Sequence, residues 1–504
     1  MSMQPMPLSA GHSPRGAWSG TASATPSAYR GGAPLSVHID SALVGTRQEY
    51  GLRQLLIAAG IPFRLSSDNE PAVYYGVDQH IGSRSALWIE SHGSDQLASS
   101  QWSVIQKMPV PMGLHRDEGT RDARKIPLDL GAICAFWINL CSEQRAPQRD
   151  EHGRVPSSQS LLGRLGLLHD PPLHAYADFL RRCMERVGLS VSTIDRWPDG
   201  KRWAVVMTHD VDEPETPNAA HPCIQRIILG PHRRRREAYW ALRAELRSRG
   251  LSEGLIAGAE GRREWDFDHY CEVEVAAQMR SMFYFSVVPK PRGHARDVTY
   301  DLSRSRFRRL MTRLKNGGWE IGLHAAYETI EDRPALAWQA RRLISLMHDV
   351  PVGMRHHYLR LDPRRPLHTL QAAAECQLLC DSSIGFNDAP GFRAGTAMPF
   401  VIYGEAGSLR NRFVELPMTL SDMHLPKDDV RVAVQIALAH LSTARQLGGM
   451  AVLNWHVGNW HARPAWRESF RAICRSLAED STVWVPNVTE AASWVNFRAN
   501  QLFR

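Results

Sequence analysis

The sequence predicts an α/β protein in two parts: a parallel (β/α) barrel or sheet over residues 200–504, and a smaller α/β or α+β domain over residues 36–199. Three observations predict this. From Lys201 onward, short apolar stretches recur with helical stretches between them, and strand alternating with helix over such a length argues for parallel strands joined by crossovers. Several of those stretches end in Asp, His or Arg, as strands do where they open into a site at their C-terminal ends. Between the two parts, Trp197-Pro198-Asp199-Gly200 is a turn-rich boundary.

Residues 1–35 are rich in Ser, Gly, Pro and Ala with few large apolar groups. They bury too little surface to offset the entropy of ordering, and are expected to be disordered. Order is expected from about Ser36. Apolar spacing predicts a helix over Leu52–Ala59, stopped by Gly60-Ile61-Pro62, then strands over Ala72–Gly76 and Ser85–Ile89. Helices are expected over Asp129–Leu140 and Pro172–Val187.

In the second part, strands are expected over Trp203–Thr208, Met282–Val288, Trp319–Leu323, Val352–His357, Leu378–Ser382, Arg412–Pro417, Met450–Trp455 and Thr482–Val485. Ser303–Asn316 and Pro334–His348 have helical spacing, and Glu213–Glu264 reads as a mostly helical insertion after the first strand.

Composition narrows the function classes. A chain of 504 residues with 43% hydrophobic and 22% charged residues is ordinary for a globular protein of two or three domains. No apolar run is long enough to cross a bilayer. Met1-Ser2-Met3-Gln4-Pro5 lacks a charged segment followed by an apolar one, so no secretory signal is read and a cytoplasmic location is expected. Of eight cysteines the only close pair is Cys376 and Cys380, read as two positions on a core helix, and free thiols are expected. The net charge of +8 is concentrated in His232-Arg233-Arg234-Arg235-Arg236, which has the look of a solvated helix start. No aromatic-interleaved basic face accompanies it, so nucleic acid is not an expected partner.

The stretch Ala204–Asp212 organises the rest. Its β-branched run ends in Thr208-His209-Asp210-Val211-Asp212, and carboxylates two residues apart on an extended backbone point the same way. Taken alone, this could be a strand-end turn capped by its acids. Its company argues otherwise. Further strands end at His324, at Arg355-His356-His357-Tyr358, at Asp381 and at His456. Such a convergent set of acids, imidazoles and a guanidinium is what metal-assisted hydrolysis requires.

These segments resemble, in order, the five motifs of the polysaccharide deacetylases with a NodB-homology domain (carbohydrate esterase family 4). The segments are Thr208–Asp212, Gly322-Leu323-His324, Arg355–Tyr358, Asp381-Ser382-Ser383 and Leu453-Asn454-Trp455-His456, and the resemblance covers roughly residues 200–490. The chain is also similar to a bacterial branch of that family, often encoded beside exopolysaccharide genes. That branch carries an uncharacterised N-terminal domain, seen here in Asp129–Leu140, Asp150-Glu151-His152-Gly153-Arg154 and Trp197–Gly200.

The resemblance implies a deformed seven-stranded (β/α) barrel that removes N-acetyl groups from an amino-sugar polysaccharide or its precursor. It implies Asp210 as general base, held by Arg355, and Asp212 and His324 as ligands of a divalent metal, normally zinc. The backbone N–H of Tyr358 would face the oxyanion, and His456, oriented by Asp381, would protonate the departing amine. One departure matters. The second motif normally supplies two histidines four residues apart, and here the later position is Glu328. Catalytic zinc usually takes three protein ligands. His357, which replaces the usual proline and shares a face with Arg355, is the first choice for the third, and Glu328 the second. Two alternative functions stand beside it: hydrolysis of another non-peptide C–N bond, and a non-catalytic carbohydrate-binding or assembly protein on the same barrel.

Overall fold

The computed structural model describes residues 33–92, 97–112, 122–214, 266–288, 296–298, 300–348, 353–402 and 413–503. The expected disordered segment (up to residue 32), most of the Glu213–Glu264 insertion and the basic run His232–Arg236 lie outside the described residues.

Two large sheets and one two-stranded sheet form among the described residues, and in the large ones nearly all neighbouring strands are parallel. The first comprises β1 (Leu35–Ile39), β2 (Phe63–Leu65), β3 (Val73–Gly76), β4 (Leu87–Glu90) and, beyond a small antiparallel hairpin of β5 (Trp102–Ile105) and β6 (Met108–Pro111), β7 (Lys125–Ile126). Its order is β2-β1-β3-β4-β7, parallel throughout, so the N-terminal part is α/β. The helix Arg47–Ala59 packs on Leu130–Ile138 and Pro172–Arg186. It is capped by the Thr46 side chain and ends at Gly60, whose left-handed φ of 74° suits glycine.

The second sheet is built on β8 (Trp203–Val211), all nine residues of which are buried, as in a parallel strand covered on both faces. It continues through β9 (Met282–Phe285), β10 (Glu320–Ala325), β11 (Gly353–His356), β12 (Cys380–Asp381), β13 (Phe400–Val401), β14 (Val414–Glu415), β15 (Met418–Ser421), β16 (Met450–Asn454) and β17 (Val483–Trp484). The order is β13-β14-β12-β11-β10-β9-β8-β16-β15, with β17 beside the start of β8 and only the β13–β14 pair antiparallel. The hydrogen-bonded path therefore stays open, with β13 and β15 as its ends.

Helices cover the strands. In Ser305–Asn316 the buried residues are Phe307, Leu310, Met311 and Leu314, one helical stripe. Val430–Leu447 begins at an Asp429 cap and ends at left-handed Gly448. Of the expected strands in this part, all eight have counterparts, mostly shorter, whereas β13 and β15 were not expected. Cys376 and Cys380 do not share a helix: Cys376 caps the helix Pro366–Glu375, and Cys380 lies on β12. All the described cysteines are free thiols. No helix among the described residues is long and apolar enough to cross a membrane.

The two parts pack continuously. One hydrophobic cluster runs from Val37 and Leu55 to Phe400, Phe413 and Val457. Across the same boundary the buried Arg393 guanidinium meets the Glu143 carboxylate through two bonds of 2.9 and 2.8 Å.

Candidate metal and acid–base site

The C-terminal ends of β8, β10, β11 and β16 meet at one place. Parallel register does this directly: Asn454 pairs with Thr208, and His324 pairs with Arg355. The residues just past those pairs are then delivered to the same end of the sheet.

Asp212, His324 and His357 form a cluster whose candidate ligand atoms all lie within 4.8 Å of one another. His324 Nε2 is 3.2 Å and His357 Nε2 is 3.4 Å from Asp212 Oδ1. Two of these atoms, Asp212 Oδ1 and His324 Nε2, are buried without a hydrogen-bond partner, which is costly unless something else binds them. The far nitrogens are held. His324 Nδ1–H donates to the Arg355 carbonyl (3.0 Å), and His357 Nδ1 faces Asp297 Oδ1 (3.2 Å). This is how ligating histidines are oriented with Nε2 turned toward a cation. Two imidazoles and a carboxylate suit zinc and similar divalent ions. Burial opposes charge on both Asp212 and His357. Even so, His357 and His324 hold the Asp212 carboxyl well below the usual range, while Asp212 and Asp297 raise His357 to about 9.

Glu328 is not part of this cluster. β10 runs on through Ala325, and the chain then turns, so Glu328 is exposed and not one helical turn from His324.

Asp210 sits beside the cluster, 4% exposed. Arg355 Nη1 donates to its Oδ1 (2.8 Å) and Asn454 Nδ2 to its Oδ2 (2.9 Å). Arg355 is fully buried, lies over the Tyr284 ring and gives its remaining bonds to the Ser382 carbonyl and hydroxyl, which fixes its position. Although burial pushes the Asp210 carboxyl up, Arg355, His324 and His456 outweigh it and lower it.

His456 Nε2 points into the same space, 3.9 Å from Asp210 Oδ2 and 3.8 Å from Asp212 Oδ2. Its Nδ1 lies 2.7 Å from Asp422 Oδ1, and its backbone N–H donates to Asp422 Oδ2 (3.0 Å). Burial works against its charge, but Asp422, then Asp212 and Asp210, raise it to about 10.

Asp422 corrects the expectation that Asp381 orients His456. Asp381 accepts from the Ser383 backbone N–H (2.7 Å) and hydroxyl (2.9 Å) and lies beside Glu415, its register partner on β14. The physical reason is strand order. β12 is not adjacent to β16, whereas β15 is, with Ser421 opposite Asn454, so Asp422, one residue on, and His456, two residues on, emerge together. Burial and the shared space keep the Asp381–Glu415 pair from both ionising, and the pKa of each is raised.

Sequence reasoning missed Asp422, Asp297 and the role of Asn454. Met418-Thr419-Leu420-Ser421-Asp422 did carry a signal, a strand-like run ending in an acid, hidden behind Pro417. Asp297 stands at the end of no strand, and the sequence offers no comparable sign of it.

Tyr358 follows directly on His357 with its backbone in the left-handed region (φ 62°, ψ 13°), and Leu359 has φ 54°. Its ring packs on His357, centroids 4.5 Å apart.

Comparison with known proteins adds the following. A family of unknown function, DUF7033, matches residues 37–188. No curated protein matches the chain. Among solved structures, similarity is found to a protein from Mycobacterium smegmatis described as a polysaccharide deacetylase, at 19% identity and a TM-score of 0.40, covering 61% of this chain and 94% of that one. A second, from Pseudomonas aeruginosa PAO1 and described in the same way, has 14% identity and a TM-score of 0.39, covering 61% and 95%. A third is a mutant of a CE4-family pseudoenzyme with restored enzymatic activity, at 10% identity and a TM-score of 0.31, covering 59% and 69%.

Proposed function

We propose that the chain is a metal-dependent hydrolase of the polysaccharide deacetylase type, cleaving N-acetyl groups from an amino-sugar polymer or its precursor. The observation that carries this reading is a single juxtaposition: the Asp212–His324–His357 cluster faces both Asp210 and His456. On this reading β14 and β15 are one strand bent at Pro417, which makes a ring of seven strands from β8, β9, β10, β11, β12, β14–β15 and β16.

Asp212, His324 and His357 would hold the ion. When bound, a divalent cation supplies positive charge that polarises the acyl oxygen and acidifies water. The chain's own residues do the rest. Asp210, fixed by Arg355 and Asn454, accepts a proton from the water that attacks the acyl carbon. The Tyr358 backbone N–H donates to the oxygen on which negative charge develops. As the C–N bond breaks, His456 gives its Nε2 proton to the nitrogen, leaving a free amine and acetate. Asp422 keeps that imidazole charged and correctly turned.

The test is acetate release from acetylated amino-sugar oligomers by the zinc-loaded chain. Asp210→Asn should keep fold and metal and lose hydrolysis by about 10²–10⁴-fold. Rates unchanged in Asp210→Asn would remove the mechanism. Sugar binding by the wild-type chain without acetate release would favour the non-catalytic carbohydrate-binding reading, which the exposed position of Glu328 keeps open.

A further inference from the structure

The loop Asp150-Glu151-His152-Gly153-Arg154 belongs to the N-terminal part, yet it reaches the site. It is a braced turn. Asp150 Oδ1 accepts from the backbone N–H groups of His152 (2.9 Å) and Arg154 (3.0 Å). The Asp150 carbonyl accepts from Gly153, which stands at φ 76°. Asp150 Oδ2 accepts from Arg154 Nε (2.7 Å), so the guanidinium is aimed before it meets anything else. Arg154 Nη1 then donates to the carbonyl of Tyr358 (2.8 Å). The His152 ring lies against the Tyr358 ring, centroids 4.4 Å apart, and its Nδ1 is 3.1 Å from the Tyr327 hydroxyl.

The second part grips the loop in turn. Arg360 Nε donates to the His152 carbonyl (3.2 Å), and Arg296 pairs with Glu151 (3.1 Å) and with the His152 ring. Burial, with Arg154 and Arg296 nearby, lowers His152 to about 4, so it packs as a neutral ring.

What the loop touches is a left-handed, non-glycine segment beside the candidate cation cluster. Tyr358 and Leu359 are consecutive non-glycine residues in the left-handed region. Such a backbone persists only where its surroundings over-determine it. His357 immediately precedes it, so any relaxation there moves an imidazole of the cluster and the Tyr358 peptide together.

We propose that Arg154 and His152 are positioning residues, by which the N-terminal part holds the Tyr358 peptide in its left-handed turn at the candidate site. The catalytic consequence rests on the deacetylase reading, but the strap itself does not. The β/α part then has an incomplete site without residues 150–154, which gives the N-terminal part a function in catalysis.

The experiment uses the full chain. Amide exchange in the segment 356–361 should speed up by about tenfold in Arg154→Ala and stay at the wild-type rate in Asp210→Asn. With the zinc-loaded protein and acetylated amino-sugar oligomers, Arg154→Ala should lower kcat by about tenfold to a hundredfold, with KM and zinc content little changed. Arg154→Lys, which restores one donor, should recover part of the loss. In a Tyr358→Gly background the left-handed turn needs no support, and Arg154→Ala should there have little further effect on kcat.

Unchanged exchange in Arg154→Ala overturns the strap. So does an equal loss of kcat from Arg154→Ala in the Tyr and Gly backgrounds. Absence of acetate release from the wild-type chain overturns the deacetylase reading instead, and exchange then decides the strap alone.

Discussion

Two carboxylate–imidazole pairs lie at the same end of the β8–β16 strand pair and differ in almost everything that matters. His209 on β8 spends both nitrogens, Nδ1 on the Trp455 carbonyl and Nε2 on Glu274 (2.8 Å each), and both partners of the pair are fully buried. His456, just past β16, spends only Nδ1, on Asp422, and keeps Nε2 facing Asp210 and Asp212 with its side chain 21% exposed. Each joins an imidazole to a carboxylate, Glu274 in the first and Asp422 in the second. One pair fastens Ser281 and Trp319 around Glu274, as a structural joint, and the other leaves an imidazole nitrogen facing Asp210 and Asp212, where the proposed mechanism needs a proton donor. What separates the two histidines is whether one ring nitrogen is left facing the site, not the presence of an acid partner.

The largest expected effect sharpens this contrast on the active side. His456→Ala should lower acetate release by about 10²–10⁴-fold with little change in Tm. A His456→Ala protein that unfolds, yet hydrolyses normally while folded, would make the two pairs alike. Asp422→Asn comes next. It retains the shape but loses the charge that holds the imidazole, and a fall of about 10²-fold in kcat is expected, larger than that of Asp381→Asn. The opposite ranking would return the orienting role to Asp381.

On the structural side, His209→Ala strands the Glu274 carboxylate in the core and should cost about 3 kcal/mol or more in urea unfolding. Hydrolysis per folded molecule should survive. Its loss at wild-type stability would mean that the sealed pair takes part in the chemistry.

A smaller effect comes from a third kind of histidine. His440 is 3% exposed and bonds the Thr419 hydroxyl, and burial, with His169 and His424 nearby, lowers it to about 3. Its folded pKa is thus below its unfolded value of about 6.5. The unfolded chain binds the extra proton, so this contribution is present above pH 6.5 and falls as pH drops toward 3. Between pH 6.5 and 5 it should amount to about 2 kcal/mol. His440→Gln should flatten that part of the stability profile, and an unchanged slope would show that the ring is not held neutral.

The same contrast explains what the sequence could and could not reveal. Strand ends were legible because short continuous apolar runs and the residues after them are local. That is how Asp210, Asp212, His324, Arg355 and His456 stood out. The choice of His357 over Glu328 followed from the face that His357 shares with Arg355, and the structure brings His357 to the cluster. Which acid meets which imidazole is a matter of strand neighbours, and that is not local. Asp381 and Asp422 both end strands, and only the order β8-β16-β15 separates them. Pro417 hid the second strand, so the wrong acid was paired with His456. The loop Asp150–Arg154 was visible as a segment, but nothing in its residues says that it bonds Tyr358, some two hundred positions away.

The contrast between the two pairs depends in the end on the proposed cation site that His456 faces and His209 does not. Metal analysis of the purified chain tests it most directly. The account predicts one divalent ion per wild-type chain, a large loss of it in His357→Ala and retention in Glu328→Ala. A His357→Ala protein with full metal content, or a wild-type chain that binds no divalent ion, would contradict it.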